Sequence, residues 1–370
     1  MNDQRKYWVG FNLVKGIGSV RMQALLNHFG DLSIAWQAPL DALMEAGLSQ
    51  KVAENVLKVR KTIDLDQWMD QIHRKGIQVI LREEAGYPPR LREIDQPPPV
   101  LYVRGTLEVE DAWTVAIVGT RRVTVYGRQI AEEISTYLAS NGVTVVSGLA
   151  RGVDAIAHSG ALKAGGRTLA VLGSGVDRIY PPEHTSLAEK IIQQGALISD
   201  YAPGTPPDGV NFPPRNRIIS GLSQAVVVVE AGETSGALIT AKFAADQGRE
   251  VFAVPGTILA PQSKGTNRLI QDGAHPLLKP EDLLELLQID HVQQMSATRK
   301  MIPADETEAT LLGLLTSEPI HVDEIRARAG LPIEKVSATL TLMELKGLVR
   351  QVGHMNYVVA RENPSEYRVD

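Results

Sequence analysis

The sequence contains 370 residues, 44% of them hydrophobic, and has a formal net charge of −5, eight histidines and no cysteine. This length exceeds one ordinary core and predicts two or three domains. The absence of cysteine excludes disulfides, thiolate metal sites and cysteine nucleophiles, and the scattered histidines do not predict a metal site. With no long apolar run and no apolar signal region in the opening MNDQRKYW, we expect a cytoplasmic globular protein.

The N-terminal segment, residues 1–80, has the pattern of short helices. Apolar residues recur at helical spacing in Tyr7–Val14 and Met22–Phe29, and Pro39–Val59 resembles a second, degraded pair of helices. The intervening residues 15–19, KGIGS, form a glycine–hydrophobic–glycine turn. Such a turn is typical of a helix-hairpin-helix, whose glycines let backbone amides approach a phosphate. A plain corner between two helices would give the same pattern, so both interpretations stay open.

The middle segment, residues 81–288, alternates strand-like and helix-like stretches after a proline-dense connector over Tyr87–Gly105. Amphipathic stretches such as Gln129–Ser140 and Ser235–Gln247 separate runs rich in valine, isoleucine and alanine. The apolar runs are Thr114–Val118, Val143–Ser147, Thr168–Leu172, Ala196–Ser199, Ala225–Val229 and Glu250–Val254. This pattern predicts the α/β class, with a doubly wound, Rossmann-like, mostly parallel sheet. Ligands of such sheets bind at the carboxyl ends of the strands.

Basic residues and glycines follow the predicted strands. The basic residues are Arg121, Arg122, Arg151, Arg215, Arg217 and Lys264. Tight turns use glycine for conformational reasons alone, so no single turn is informative. Several cations at the mouth of an otherwise apolar sheet indicate an anion site there.

The stretch Phe212–Ser223, FPPRNRIISGLS, is the most informative about function. Its two prolines favour extended geometry in the residue before each, so we expect Phe212 on a rigid extended arm. Arg215 and Arg217 should fall near the start of the next helix, which favours anions. An aromatic ring beside guanidinium and amide groups can hold an unstacked base and its phosphate. Alternatively, Phe212 fills the core and the arginines form internal ion pairs.

The C-terminal segment predicts a winged-helix-like domain over 307–362, after a polar linker over 289–306 and before a tail over 363–370. The predicted elements are helices at Glu308–Leu315, Val322–Ala329 and Ile333–Lys346, and a hairpin over Gly347–Val359 that turns near Gly353. Residues 281–370 carry 9 basic and 15 acidic side chains, whereas residues 114–280 carry 15 basic and 13 acidic ones. The charge favours a protein-binding module over direct reading of DNA.

Motifs for catalysis are missing. There is no P-loop, no dinucleotide fingerprint after the first predicted strand and no nucleophile elbow. Asp154 should lie in the first turn of a helix, and Glu230 should pair with an arginine. We therefore expect no enzyme activity and no cofactor.

Six ordered motifs carry a family resemblance. They are GTRR (119–122), SGLARGVDAIAH (147–158), GSGVDRIYP (173–181), FPPRNRIISGLS (212–223), SGALITA (235–241) and KGTNRLI (264–270). With them the chain closely resembles the DNA-processing protein A family, also called Smf, over about 80–285. The likeness extends more loosely to the N-terminal helices, as a helix-hairpin-helix/SAM-like domain, and to the winged helix. It implies a homodimeric mediator that binds single-stranded DNA during natural transformation and loads RecA recombinase onto it.

The resemblance also implies roles for individual residues. Arg122 is similar to a phosphate-binding arginine, and Phe212 to a base-stacking aromatic residue. Further expected DNA-binding residues are Gly119, Thr120, Arg121, Ser147, Gly148, Arg151, Gly173, Arg215, Asn216, Arg217, Lys264, Gly265, Thr266 and Asn267. Gly209 stands where some members carry a basic residue, so Arg151 or Lys264 would have to replace that cation.

Two other functions stay open. The family's sheet is related to that of nucleoside-monophosphate phosphoribohydrolases, which have a PGGxGT-type loop and a catalytic glutamate. Here the matching segment reads EAGETSGALIT, with only Glu230 and Glu233 as carboxylates, which disfavours that enzyme. The third function, a duplex-DNA regulator acting through the winged helix, is disfavoured by the acidic charge.

Overall fold

Helices form the start of the chain in this computed structural model, which describes residues 4–108, 113–287, 306–315, 319–345, 349–353 and 355–359. These helices are α1 (Arg5–Asn12), α2 (Ser19–Phe29), α3 (Leu32–Gln37), α4 (Leu40–Glu45), α5 (Gln50–Thr62) and α6 (Leu65–Arg74). The turn between α1 and α2 has Gly16 at a φ of +101°, which favours glycine. The predicted helices on either side of this turn are confirmed.

The helical segment packs directly on the sheet. Buried Phe11 and Val56 belong to the same hydrophobic cluster as Tyr102 and Leu197, which lie on strands. In α6, Leu65, Met69 and Ile72 recur at helical spacing and are buried. The boundary at residue 80 between two separate domains stays a prediction.

The central sheet has nine described strands. They are β1 (Gln78–Leu81), β2 (Val100–Gly105), β3 (Thr114–Val118), β4 (Thr144–Ser147), β5 (Thr168–Val171), β6 (Gly195–Ser199), β7 (Ala225–Val228), β8 (Glu250–Ala253) and β9 (His275–Pro276). Their order is β1-β2-β6-β5-β4-β3-β7-β8-β9. The strands from β3 to β9 pair in parallel, whereas β2 runs antiparallel to both β1 and β6. The predicted α/β class with a mostly parallel sheet is confirmed.

Helices cover the sheet. They are α7 (Pro89–Arg92), α8 (Val125–Ser140), α9 (Val153–Lys163), α10 (Thr185–Gln194), α11 (Phe212–Gly221), α12 (Gly236–Asp246), α13 (Lys264–Gln271) and α14 (Glu281–Leu286). Ile218 of α11 and Ala241 of α12 pack with alternate residues of the inner strands, such as Val118 and Val226. Strands β3 to β6 progress outward on one side of β3, and β7 lies on its other side. This reversal between β3 and β7 is where doubly wound sheets open a crevice for ligands.

A second unit, Ile289–Asp370, is separate from the first, Met1–Gln288. Its described elements are helices α15 (Glu306–Leu314), α16 (Val322–Ala329) and α17 (Ile333–Leu345) and strands β10 (Ile320–His321), β11 (Val349–Gln351) and β12 (Asn356–Val359). Strand β12 pairs antiparallel with β10 and β11, and Ile325, Val336 and Leu340 are buried between the helices. The predicted helices and hairpin are confirmed as a winged helix. The tail predicted over 363–370 lies outside the described residues, as does the linker predicted over 289–306 except for Glu306, which begins α15.

Among the helices that the structure describes, none is long and apolar enough to cross a membrane.

Candidate functional site

An open cavity of about 920 Å³ lies at the carboxyl edge of the sheet, at the reversal between β3 and β7. Its walls include the loop after β3 (Gly119–Arg122), the start of α11 and the start of α12. The backbone N–H of Thr120 donates to the carbonyl of Glu230 over 2.7 Å, which joins the loops after β3 and β7. The sheet topology therefore places the cavity where an α/β fold ordinarily binds its ligand.

The carboxylate of Glu230 holds the wall of this cavity together. It accepts hydrogen bonds from the backbone N–H of Thr124, over 2.9 Å, and from the Thr124 hydroxyl. Thr124 also caps α8 by accepting from the N–H of Gly127. The expectation that Glu230 pairs with an arginine is wrong, because the start of α8 brings Thr124 to the carboxylate instead. Buried at 3% exposure, Glu230 has a structural role here.

Phe212 is the first residue of α11 rather than part of an extended arm. Its φ of −70° and ψ of −44° are helical, which corrects the expected extended geometry. Pro213 and Pro214 occupy the first turn of the helix, where a backbone N–H has no intrahelical partner to lose. The position therefore tolerates both prolines without extending the chain.

The Phe212 ring lies at the edge of the cavity and contacts four other residues. It covers Gly173, where an added Cβ would lie 2.7 Å from the ring carbon Cδ1. The Tyr180 ring is 5.7 Å from it between centroids. The guanidinium carbons of Arg121 and Arg215 lie 5.8 Å and 5.9 Å from its centroid, within cation–π range. The half-exposed ring is thus fixed from several sides and still faces the cavity.

Arg215 is buried at 5% exposure and supports the floor of the cavity. Its guanidinium donates to the carbonyls of Gly148 and Val171. A Cβ on Gly148 would collide with Arg215 Nη2 and with Asp154 Oδ2, at 2.7 Å and 2.9 Å. Burial lowers the pKa of Arg215 to about 10, although Asp154 opposes the shift, so Arg215 stays charged at neutral pH. Asp154 lies in the first turn of α9 as expected, and burial raises its pKa against the effect of Arg215.

The exposed cations of the cavity are Arg121 and Arg122. Both are exposed and line it, and within the described ranges neither guanidinium has an ion-pair partner. Arg151 is also exposed, but its guanidinium forms an ion pair of 2.5 Å with Glu183. The structure therefore brings to the cavity two guanidiniums without an ion-pair partner among the described residues, and that of Arg121 lies beside Phe212.

Arg217 does not reach the cavity. Its guanidinium pairs with Asp200 over 2.9 Å and donates to the carbonyl of Gln96 over 2.6 Å. For this arginine the alternative of an internal ion pair is the one the structure shows. Its neighbour Asn216 does line the cavity, where its amide donates to the carbonyl of Gly236 over 3.3 Å.

The segment Lys264–Asn267 lines a neighbouring groove of about 530 Å³ rather than the main cavity. Lys264 lies 3.4 Å from a carboxylate oxygen of Glu233. Thr266 is buried and donates to the carbonyl of Ser263, and Asn267 hydrogen-bonds both backbone groups of Gly256. The loop between β7 and α12 separates this groove from Phe212.

Two further predicted residues are structural neighbours of the cavity. Ser147 is buried and donates to the carbonyl of Ile117. Gly119 lines the cavity, and a Cβ there would lie 2.6 Å from Val153. Gly119 thus allows the loop after β3 to pack closely on the start of α9, and Ser147 joins β4 to β3.

Sequence reasoning missed Tyr180 and the segment 234–236, which also line the cavity. The aromatic residue in GSGVDRIYP was the available signal for Tyr180, since it follows a predicted strand end. In the residues that the structure describes, no three histidine, aspartate or glutamate side chains are grouped to hold a metal. What the cavity offers is an aromatic face, exposed guanidiniums and the start of α12, a combination suited to bases and phosphates.

Comparisons with known proteins find relatives over most of the chain. The family model for DNA recombination-mediator protein A matches residues 78–288, and the model for the DprA winged helix domain matches residues 295–353. Protein Smf of Synechocystis is 37% identical over 96% of this chain and 99% of its own length. Protein Smf of Escherichia coli is 37% identical over 90% of this chain and 93% of its own length.

The chain belongs to the DNA-processing protein A (DprA/Smf) family. The solved structure of DprA from Streptococcus pneumoniae superimposes with a TM-score of 0.67 and 33% identity, over 76% of this chain and 97% of that one. A structure of the Helicobacter pylori member, described by its single-stranded DNA binding mode, gives a TM-score of 0.53 and 31% identity over 58% of this chain and 96% of that one. Membership of the DprA/Smf family is consistent with a role of this protein in DNA processing.

Proposed function

We propose that this protein binds single-stranded DNA in the cavity at the β3–β7 reversal and acts as a recombination mediator without catalytic turnover. The observation that carries the proposal is the Phe212 ring held at the cavity edge beside the exposed Arg121. An unstacked base can lie on the ring while a guanidinium meets its phosphate. The name of the matched family model and the description of the Helicobacter relative support the same ligand class.

The electrostatics favour a single strand that crosses the cavity locally over one that coats the protein. The net charge of −5 opposes non-specific coating, whereas Arg121 and Arg122 concentrate positive charge in one place. With phosphate contacts by Arg121 and Arg122, log affinity should fall with log salt at a slope of about −1.4. Duplex DNA hides its base faces in the stack, so we expect weaker binding of duplex than of single strands.

The first test is an anisotropy titration of a labelled single-stranded oligonucleotide with Phe212→Ala and Arg122→Ala. Removing the ring should cost about 1–3 kcal/mol of binding free energy. Removing one phosphate contact should also reduce the magnitude of the salt slope by about 0.7. Arg128→Ala is the matched control, because Arg128 is exposed on α8 but does not line the cavity. An Arg122→Ala protein that binds as tightly as the parent would contradict the proposal.

Loading of RecA recombinase and a homodimeric state belong to the same proposal. We expect the parent protein to shorten the lag before RecA hydrolyses ATP on a single strand coated with single-strand-binding protein. Phe212→Ala should lose that effect together with its DNA affinity. Mass measurement of the protein alone should give twice the chain mass. An unchanged lag would contradict RecA loading, and a monomeric mass would contradict the homodimer.

The absence of turnover has its own test. Glu230 is buried and engaged by Thr124, and Glu233 lies beside Lys264. We therefore expect no adenine after incubation of the protein with AMP, measured by chromatography. Release of adenine that Glu230→Gln or Glu233→Gln abolishes would instead support the phosphoribohydrolase alternative.

A further inference from the structure

Tyr180 lies beside Phe212 on the same edge of the cavity. The two ring centroids are 5.7 Å apart and the ring planes make an angle of 34°. Tyr180 is 36% exposed and lines both the main cavity and a small cleft next to it. The side chain is therefore a large aromatic surface that the core does not cover.

The spacing of the rings decides how they could meet a nucleic acid. A base inserted between two rings needs a separation of about 7 Å, twice the base-stacking distance of a duplex strand. The observed 5.7 Å is shorter, and the planes are tilted. Phe212 and Tyr180 therefore do not form a sandwich for one base, although both rings line the main cavity and the small cleft.

The loop that carries Tyr180 is held in place by hydrogen bonds. The Ser174 hydroxyl donates to the carbonyl of Arg178 over 2.7 Å, and the N–H of Gly175 donates to the carbonyl of Thr205 over 3.0 Å. Asp177 accepts from the N–H of Gly204 and forms an ion pair of 2.7 Å with Lys75 of the helical segment. Because the loop is already ordered, binding of a base to the Tyr180 ring would not carry the entropic cost of ordering it.

Arg151 lines the small cleft together with Tyr180. Its guanidinium pairs with the carboxylate of Glu183, which raises the pKa of Arg151. Since Glu183 compensates its charge, Arg151 is less suited to attract a phosphate. This contact also distinguishes Arg151 from Arg121 and Arg122.

We propose that Tyr180 is a second base-stacking residue, so that Phe212 and Tyr180 together form a two-ring platform for two bases of one strand. This inference rests on the proposed binding of single-stranded DNA in the cavity. It assigns the bases to the platform and leaves the phosphates to Arg121 and Arg122. Stacking accepts any base, so the platform should show little sequence preference.

The test compares two single strands of equal length and charge, an oligothymidylate and an abasic strand that has the same phosphates without bases. Tyr180→Leu keeps apolar bulk but loses the aromatic face, and Tyr180→Phe keeps the face. Tyr180→Leu should weaken binding of oligothymidylate by roughly 5- to 150-fold and leave the abasic strand unaffected. Tyr180→Phe should bind both strands as the parent does.

The control is Tyr126→Ala, since Tyr126 is 48% exposed but does not line the cavity. Equal weakening of both strands by Tyr180→Leu would show a structural role and overturn the inference, as would unchanged binding of oligothymidylate. If the parent protein itself binds neither strand, the proposed function fails first. If it binds both strands and only the Phe212 variant distinguishes them, the inference on Tyr180 fails alone.

Discussion

Gly173 lies directly beneath the Phe212 ring, and a single methyl group there tests the position of that ring. The added Cβ of Gly173→Ala would lie 2.7 Å from Phe212 Cδ1, so the ring must move. Because the ring is half-exposed, it can rotate outward at small cost to folding. We expect weaker binding of single-stranded DNA in an anisotropy titration, with a thermal midpoint close to that of the parent.

The matched control is Gly86→Ala, where an added Cβ meets nothing within 4 Å. It should change neither DNA affinity nor the thermal midpoint. A Gly173→Ala protein with full affinity would show that the observed ring position is not needed for binding.

Arg215 shows the cost of losing a buried charge. Arg215→Met would leave the buried carboxylate of Asp154 without its neighbouring cation. The variant also loses the hydrogen bonds of the guanidinium to the carbonyls of Gly148 and Val171, and one buried acceptor left unsatisfied typically costs about 1–3 kcal/mol of stability. We expect a loss of this size in the free energy of unfolding by urea.

The addition of Asp154→Asn should recover part of that loss, because the uncompensated charge is then removed. Asp154→Asn made alone gives the reference loss of stability. If the double variant is less stable than Arg215→Met by that same amount, the two residues are not coupled.

The two arginines of FPPRNRIISGLS show what sequence could and could not predict at this scale. The sequence places Arg215 and Arg217 together near the start of one helix, which the structure confirms. Two residues along a helix correspond to about 200° of rotation, so the side chains leave on opposite sides. One supports the cavity and the other pairs with Asp200. Which side of α11 faces the cavity depends on packing against β5 and α12. Those elements are distant in the sequence, so the motif alone could not predict the orientation of the helix.

At the scale of single elements, the start of α8 connects helix capping to the cavity wall. Thr124→Val removes the cap on Gly127 N–H and one hydrogen bond to buried Glu230. Loss of an N-cap alone costs about 0.5–2 kcal/mol. We expect lower unfolding free energy and weaker DNA binding, since the loop Gly119–Arg122 loses its anchor.

Thr124→Ser, which keeps the hydroxyl, should restore both properties. If the valine and serine variants bind DNA equally, the anchor to Glu230 does not position this loop.

The sequence predicted those strands that are buried along their whole length, because burial on both faces produces a continuous apolar run. The inner strands, such as Thr114–Val118, are buried along their whole length and so are continuously apolar. The edge strands Gln78–Leu81 and His275–Pro276 are short and partly exposed, so no such run marks them. Lys264–Asn267 was expected at the main cavity because it follows a strand. The loop between β7 and α12 puts it in a separate groove, which depends on how the two loops pack.

At the scale of the whole molecule, His158 makes stability depend on pH. It is fully buried, its Nδ1 lies 2.7 Å from the Thr168 hydroxyl, and its Nε2 has no hydrogen-bond partner among the described residues. Burial lowers the pKa of His158 from 6.5 to about 3. The unfolded chain then binds more protons than the folded protein between these values. Stability from this residue is complete above pH 6.5 and is lost as the pH falls towards 3.

The slope from one such group is about 1.4 kcal/mol per pH unit within that window. Urea unfolding at pH 7 and pH 5 should show a larger fall for the parent than for His158→Gln, which cannot titrate. Parallel losses in the two proteins would mean that His158 does not stay neutral in the folded state.

The most direct test of the central claim is photocrosslinking of a single strand that carries 5-iodouracil, with the attached peptides identified by mass spectrometry. The account predicts that crosslinks concentrate in the peptides containing Phe212 and Tyr180, and that excess unlabelled single strand removes them. Crosslinks confined to the helical segment or to the winged helix, with none at the carboxyl edge of the sheet, would contradict it.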